Sequence, residues 1–269
     1  MKRGIPGQAH AGPSRQDGFT LVEMAVVLAI IGLIIGAVMI GMDVQRNAEY
    51  TKVKQKFIDQ WVVAYNAYYQ RTGVAVADDQ IQPQLMVNGQ SFVSDGNTSG
   101  GDMTGEDPLA AVCQGDNDQL DDLGIDVDDE MDLRTLMLQA GVSMPQGRAE
   151  GFEDRYVYLD TNGNPQEIQV CFQWNPPGTA SGSGNVMIIT GLTPDLARYL
   201  DQAIDGQADA REGVFRQVGV DNDSDNQPGL EWDLDNTFAI GDQPGDPGEG
   251  PALDEDQVAI VAAHYQMNQ

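Results

Sequence analysis

Apolar and polar positions alternate in three distinct ways along this chain. From Met24 to Met42 there is no charge and no proline, and only Gly32, Gly36 and Gly41 weaken a helix. At about 1.5 Å of rise per residue, such a run nearly crosses a hydrocarbon layer of ~30 Å. Beyond it the pattern turns periodic. Tyr50, Val53, Phe57, Trp61, Ala64 and Tyr68 recur three or four residues apart, while Lys52, Lys56, Asp59 and Gln60 occupy other faces. That spacing is the apolar stripe of a 3.6-residue repeat. No proline occurs between Phe19 and Thr72, and Gly73 supplies a stop. The pattern predicts one helix over 19–72, about 80 Å long. Its first half is apolar all round, and its second half lays an aromatic stripe on a sheet.

After Ala75 the chain is punctuated by Gly, Asp and Asn. Residues 94–107 and 114–130 read as loops, with a short helix at 131–140. Strands follow at 155–160 and 167–174, and Asn162-Gly163 between them is a hairpin-turn signal. Residues 185–190 and 213–218 read as further strands. Between them, Thr193-Pro194-Asp195 opens a helix with a cap, a first-turn proline and an acid, and Leu196, Tyr199, Ala203 and Ile204 mark its expected buried face. A Gly/Pro/Asp-rich stretch at 241–251 precedes a short apolar segment, 256–265, that fits either helix or strand. A helix followed by antiparallel strands makes an α+β head.

Charge sharpens the division. The chain has 14 Lys+Arg against 42 Asp+Glu, a formal net of -28. No lysine follows Lys56, and only six arginines (Arg134, Arg148, Arg155, Arg198, Arg211 and Arg216) follow Arg71. A body this acidic repels nucleic-acid phosphates and suits cations or a salty exterior. Cys113 and Cys171 are the only thiols, with no CxxC spacing and almost no histidine, which argues against a redox or zinc site. In an exported chain an even count reads as one disulfide closing a loop of about 60 residues, nominally about 4 kcal/mol of stabilisation. Inside the cytosol the same pair reads as two buried thiols.

The amino-terminal run exceeds the 7–15 residues of a secretory signal's apolar core, and the sequence after it continues as helix, so an uncleaved anchor fits better. Lys2, Arg3 and Arg15 precede it, but Arg46, Lys52, Lys54 and Lys56 follow closely, so basic residues alone do not set its orientation. One acid, Glu23, sits near its start. Gly18-Phe19-Thr20-Leu21-Val22-Glu23, followed by the apolar run, resembles the prepilin processing motif of type IV pilins and type II secretion pseudopilins. The resemblance is dense over about 25 residues. It implies cleavage by a cytoplasm-facing prepilin peptidase between Gly18 and Phe19, with methylation of the new Phe19 amine. It implies a long helix on an antiparallel sheet, a pilin-like α+β fold. Residues 1–18 are then a leader, 19–42 the membrane-spanning and filament-core helix, 43–73 its amphipathic half, and 74–269 the acidic head. Asp17 departs from the basic residue often found beside that glycine, which implies slower processing.

The resemblance also gives Glu23 a role. Cleavage creates an ammonium at Phe19, one helical turn from Glu23, and pairing offsets the few kcal/mol that a lone carboxylate costs in lipid. In the family this pairing crosses between subunits and recruits the next one; the residues alone equally allow Glu23 to pair with its own Phe19 amine, or to protonate. Gly32 and Gly36 form a GxxxG, which permits close helix packing or local melting on assembly. The export that the family implies makes the Cys113–Cys171 disulfide the expectation. It also implies self-assembly with other pilins, an inner-membrane precursor, and then an extracellular pilus or a periplasmic pseudopilus.

Enzymatic signatures are missing: there is no nucleophile elbow, phosphate loop or zinc motif, and beyond the leader His264 is the only histidine. No cofactor is certain; calcium is the one the residues allow, with a solvated acidic loop as the alternative. Asp221, Asp223 and Asp225 alternate as oxygen donors, with Asp233 or Glu231 to close the loop, although Asn226 and Trp232 depart from the EF-hand pattern. Asp116/Asp118/Asp121 and Asp126/Asp128/Asp129 are looser acidic groups. A pilus subunit, a pseudopilin and a minor pilin acting as an adhesin or calcium-dependent binder are the readings left open.

Overall fold

The structure is a computed structural model that describes residues 20–115, 117–128, 130–161, 163–219, 232 and 260–267. The chain forms two units, residues 1–46 and 47–269. Helix α1 runs Leu21–Val53. Its residues from Leu21 to Val44 expose every large apolar side chain, Leu21 being 90% accessible. The second unit holds the sheet, the remaining helices and the core.

Within that unit the helical stripe is buried as its spacing requires: Tyr50, Val53, Phe57, Trp61, Ala64 and Tyr68 are all at most 5% exposed, and Tyr65 joins them. The regular repeat fails at one place. Lys54–Ile58 is a π turn, followed by α2, Asp59–Thr72. The wider turn brings positions five apart together, and the Lys54 ammonium meets the Asp59 carboxylate at 2.8 Å. It also lets the adjacent residues Phe57 and Ile58 both face the core, which a strict 3.6-residue helix does poorly. Gly73 ends α2 in the left-handed conformation (φ 79°), its N–H donating to the Tyr69 carbonyl at 2.8 Å, as a glycine stop does.

Five antiparallel strands follow: β1 Arg155–Leu159, β2 Pro165–Asn175, β3 Gly184–Leu192, β4 Phe215–Gln217 and β5 Val261–Gln266. Their spatial order is β1-β2-β3-β5-β4. The described part of the apolar segment that fitted either helix or strand is a strand, Val261–Gln266, and it enters the sheet between β3 and β4. A bulge separates Ile189 from Leu192 in the β3–β5 ladder. It needs Gly191 (φ +74°), because a Cβ there would lie 2.0 Å from the Glu167 carbonyl oxygen. The Gly191 carbonyl accepts from Tyr158 Oη at 3.1 Å, and the same hydroxyl accepts from Thr193 N–H at 2.9 Å, which ties β1, β3 and the next helix together.

Strand β2 is central because both of its faces are covered. Ile168, Val170, Phe172 and Trp174 join the main core. The Phe172 ring lies 6.1 Å from Trp61 and 5.1 Å from Tyr65, and Tyr156 on β1 lies 5.3 Å from Phe57. On the other face Cys171 meets a small second core of Ala111, Cys113, Leu120, Val186 and Ile188. Cys113 and Cys171 are disulfide-bonded across 58 residues, with their Cα atoms 4.6 Å apart. The bond and the bridge from Val112 to Phe172 pin the irregular segment between helix and sheet onto β2.

That segment is more structured than its composition suggests. It holds α3, Gly89–Ser94, α4, Asp118–Asp122, and α5, Leu133–Gln139. Asn117 caps α4 and Asp132 caps α5 through their side chains, so the acids and amides that read as loop are also helix starts. Helix α6, Pro194–Asp205, begins on the expected Thr193 cap. Its buried face is Leu196, Ala197, Leu200 and Asp201; Tyr199 and Ile204 are half-buried, and Ala203 is exposed, against expectation. The face rotates because the fully buried Asp201 is held inward. Its Oδ2 accepts from Asp209 N–H at 2.6 Å and from Trp232 Nε1–H at 2.7 Å, and the Trp232 ring sits 5.3 Å from Phe215.

Burial pushes the Asp201 carboxyl up to about 7, against the two N–H donors that favour its anion, and Asp205 raises it further. Burial likewise pushes Asp154 up to about 6, with Arg155 opposing, and holds the His264 imidazole down at about 4. For Asp201 the folded state keeps a proton that the unfolded chain releases near 3.8, so its contribution to stability is full in acid and is lost as pH rises from about 4 to about 7. Asp201→Asn keeps an acceptor and removes the charge. Its melting temperature relative to the parent should rise across that pH window and then level off, as followed by thermal denaturation in detergent. Trp61→Ala, which empties the helix–sheet contact, should cost about 3–5 kcal/mol in denaturant unfolding.

Candidate functional site

The site starts where α1 starts. Thr20 precedes the first helical residue, and its carbonyl takes the first helical hydrogen bond, from Met24 N–H at 3.2 Å. Its hydroxyl accepts from Glu23 N–H at 3.2 Å. In return, Glu23 Oε2 accepts from Thr20 N–H at 2.8 Å and from the Thr20 hydroxyl at 3.0 Å. This is a reciprocal capping box, a cap residue and the third helical residue each satisfying the other's free donor. Its sequence signal, Thr20-Leu-Val-Glu23 ahead of an apolar run, was legible from the outset.

Two consequences follow for Glu23. The carboxylate sits at the end of the helix where the backbone dipole is positive, which favours an anion. Capping also engages only Oε2, so among the described residues Oε1 takes no hydrogen bond. Glu23 is exposed, and a second donor can reach it without breaking the cap. Gly18 and Phe19, the expected cleavage and methylation pair, lie outside the described residues. At Gly32 and Gly36 an added Cβ would meet nothing within 4 Å, so within its own chain neither glycine is needed for a close approach.

The helix from Leu21 meets the length and apolarity of a membrane span. None of the apolar window of this span is buried within the chain, which distinguishes it from the core helix of a soluble domain. Of the other expected sites, Cys113 and Cys171 are bonded to each other. The calcium set Asp221, Asp223, Asp225 and Asp233 lies outside the described residues. Among the described residues, no three His, Cys, Asp or Glu side chains group as a metal site.

Thr20→Val keeps the volume and removes the hydroxyl from the box. It should cost the helix start about 1 kcal/mol, seen as faster amide hydrogen exchange at residues 21–24 of the detergent-solubilised chain with exchange in β2 unchanged.

Residues 13–39, spanning the capping box and most of the apolar run, match a family model described as the prokaryotic N-terminal methylation motif. Comparison with curated proteins and with solved structures gave no match. The capped acid, the apolar helix behind it and this match converge: the chain carries a prepilin-type signal of the kind found in type IV pilin and pseudopilin precursors.

Proposed function

We propose that the chain is a structural subunit of a type IV pilus-like extracellular filament, held in the inner membrane as a precursor and polymerised through its amino-terminal helix. One observation carries this reading: an apolar helix that its own chain leaves bare begins on a capped carboxylate with one oxygen to spare. Lipid covers such a surface first, and the same helices of other copies cover it in a fibre. The role is assembly rather than catalysis.

The steps follow from charge. The prepilin peptidase cuts between Gly18 and Phe19 and leaves an ammonium at Phe19, which is then methylated and stays cationic. Glu23 Oε2 remains on Thr20, and Oε1 accepts from the amine of the neighbouring subunit. In a low-dielectric setting neither charge is stable alone, since removing one partner of a buried pair costs about 3–5 kcal/mol. A subunit arriving with a free amine is therefore drawn to a filament end that offers a free carboxylate.

Glu23→Ala should be cut normally after Gly18, with mass spectrometry showing a chain that begins at Phe19, yet be absent from sheared surface filaments. Normal incorporation of Glu23→Ala would contradict the pairing. Absence of the unaltered chain from purified filaments would contradict the subunit role itself.

A further inference from the structure

Cations in the second unit are almost all spoken for. Arg134 pairs with Glu153, Arg148 and Arg155 with Glu167, Arg198 with Asp195, and Lys54 with Asp59. Arg71 donates to the Ala140 and Gly141 carbonyls, and Arg216 to Gly213 and Ala180; Arg211 is engaged as well. Lys52 and Lys56 are different. Both are exposed, both lie on the helix that bears the aromatic stripe, and neither has an anionic partner among the described residues. In a chain with 42 acids against 14 bases, two adjacent cations without a carboxylate are unexpected, because nearly any nearby surface would supply one.

From this charge arrangement we infer that Lys52 and Lys56 form a docking surface for the acidic head of a second copy of this chain, which rests on the filament reading above. Charge complementarity selects the occupant. The full chain has a formal net charge of -28 with nearly all of its acids beyond the helix, and packing such heads side by side is repulsive unless a cation enters the contact. Among the described residues of the second unit, Lys52 and Lys56 are cations with no anionic partner of their own. Anionic lipid headgroups are the competing partner. Lys52 lies ten residues past Met42, about 15 Å of helix rise, whereas the headgroup layer beyond the hydrocarbon is about 5–8 Å deep on each side. That distance favours protein over lipid.

The test uses sheared filaments assembled from a mixture of nitrogen-15-labelled and unlabelled chains, treated with a zero-length carbodiimide that joins amines to touching carboxylates. The expected result is mixed-label peptides linking Lys52 or Lys56 to an Asp or Glu within 74–269. Lys52 and Lys56 should also react several-fold more slowly with an amine-directed reagent in filaments than in the detergent-solubilised chain. The double variant Lys52→Gln/Lys56→Gln should give fewer filaments that fall apart at lower salt, and the double Lys→Arg variant should restore them. Same-label links only, unchanged amine reactivity, or retention of the chain by phosphatidylglycerol vesicles through these lysines would overturn the inference while leaving the filament reading intact. Failure to find the chain in filaments at all would overturn both.

Discussion

The reciprocal Thr20–Glu23 cap at the start of an apolar helix is the interaction on which the proposed assembly depends. α1 opens on an acid ahead of an apolar run, so its first turn must satisfy donors and balance a charge where water is scarce. The Thr20–Glu23 box does the first within the chain. In the proposed processing, the second falls to the amine that removal of the leader would create. On the proposed processing, the precursor is complete as a helix start but incomplete as an ion pair, and the cut would supply the charge that the carboxylate lacks.

The second unit answers a different demand, to give an acidic body a firm core. It does so through β2, which takes the aromatic stripe of the helix on one face and the disulfide-pinned segment on the other. Trp61, Tyr65 and Phe172 form the contact that couples helix to sheet, and Cys113–Cys171 keeps the long irregular connection from costing its full loop entropy. Asp201 and Asp154 are two of several polar side chains buried in that core. Each holds neighbouring N–H groups in place at the expense of a carboxyl that resists ionisation.

Much of this was legible because periodicity reports burial directly. The stripe from Tyr50 to Tyr68, the Gly73 stop and the Thr193-Pro194-Asp195 cap all rest on local geometry, and the structure has each of them. What escaped depends on contacts distant in sequence or on a change of period. The π turn arises where Lys54 meets Asp59 and Phe57 and Ile58 both turn inward, which a fixed 3.6-residue repeat hides. The local pattern puts Ala203 on the buried face of α6, since no local rule anticipates an inward aspartate held by Trp232, some thirty residues on. The place of β5 between β3 and β4 is a matter of topology that its short apolar pattern does not encode. At the site itself the motif pointed to Glu23, while the partner that holds it in the chain, Thr20, was passed over although its spacing from Glu23 announced a cap.

The central claim is that Glu23 completes its ion pair with the amine of another subunit. It is tested most directly by solid-state NMR on filaments assembled from two pools of chains, one labelled with nitrogen-15 at the Phe19 amine and the other with carbon-13 at the Glu23 carboxyl. A dipolar contact between the pools at salt-bridge range, about 4 Å, is the expected result. A contact seen only when both labels sit in the same chain would contradict the account.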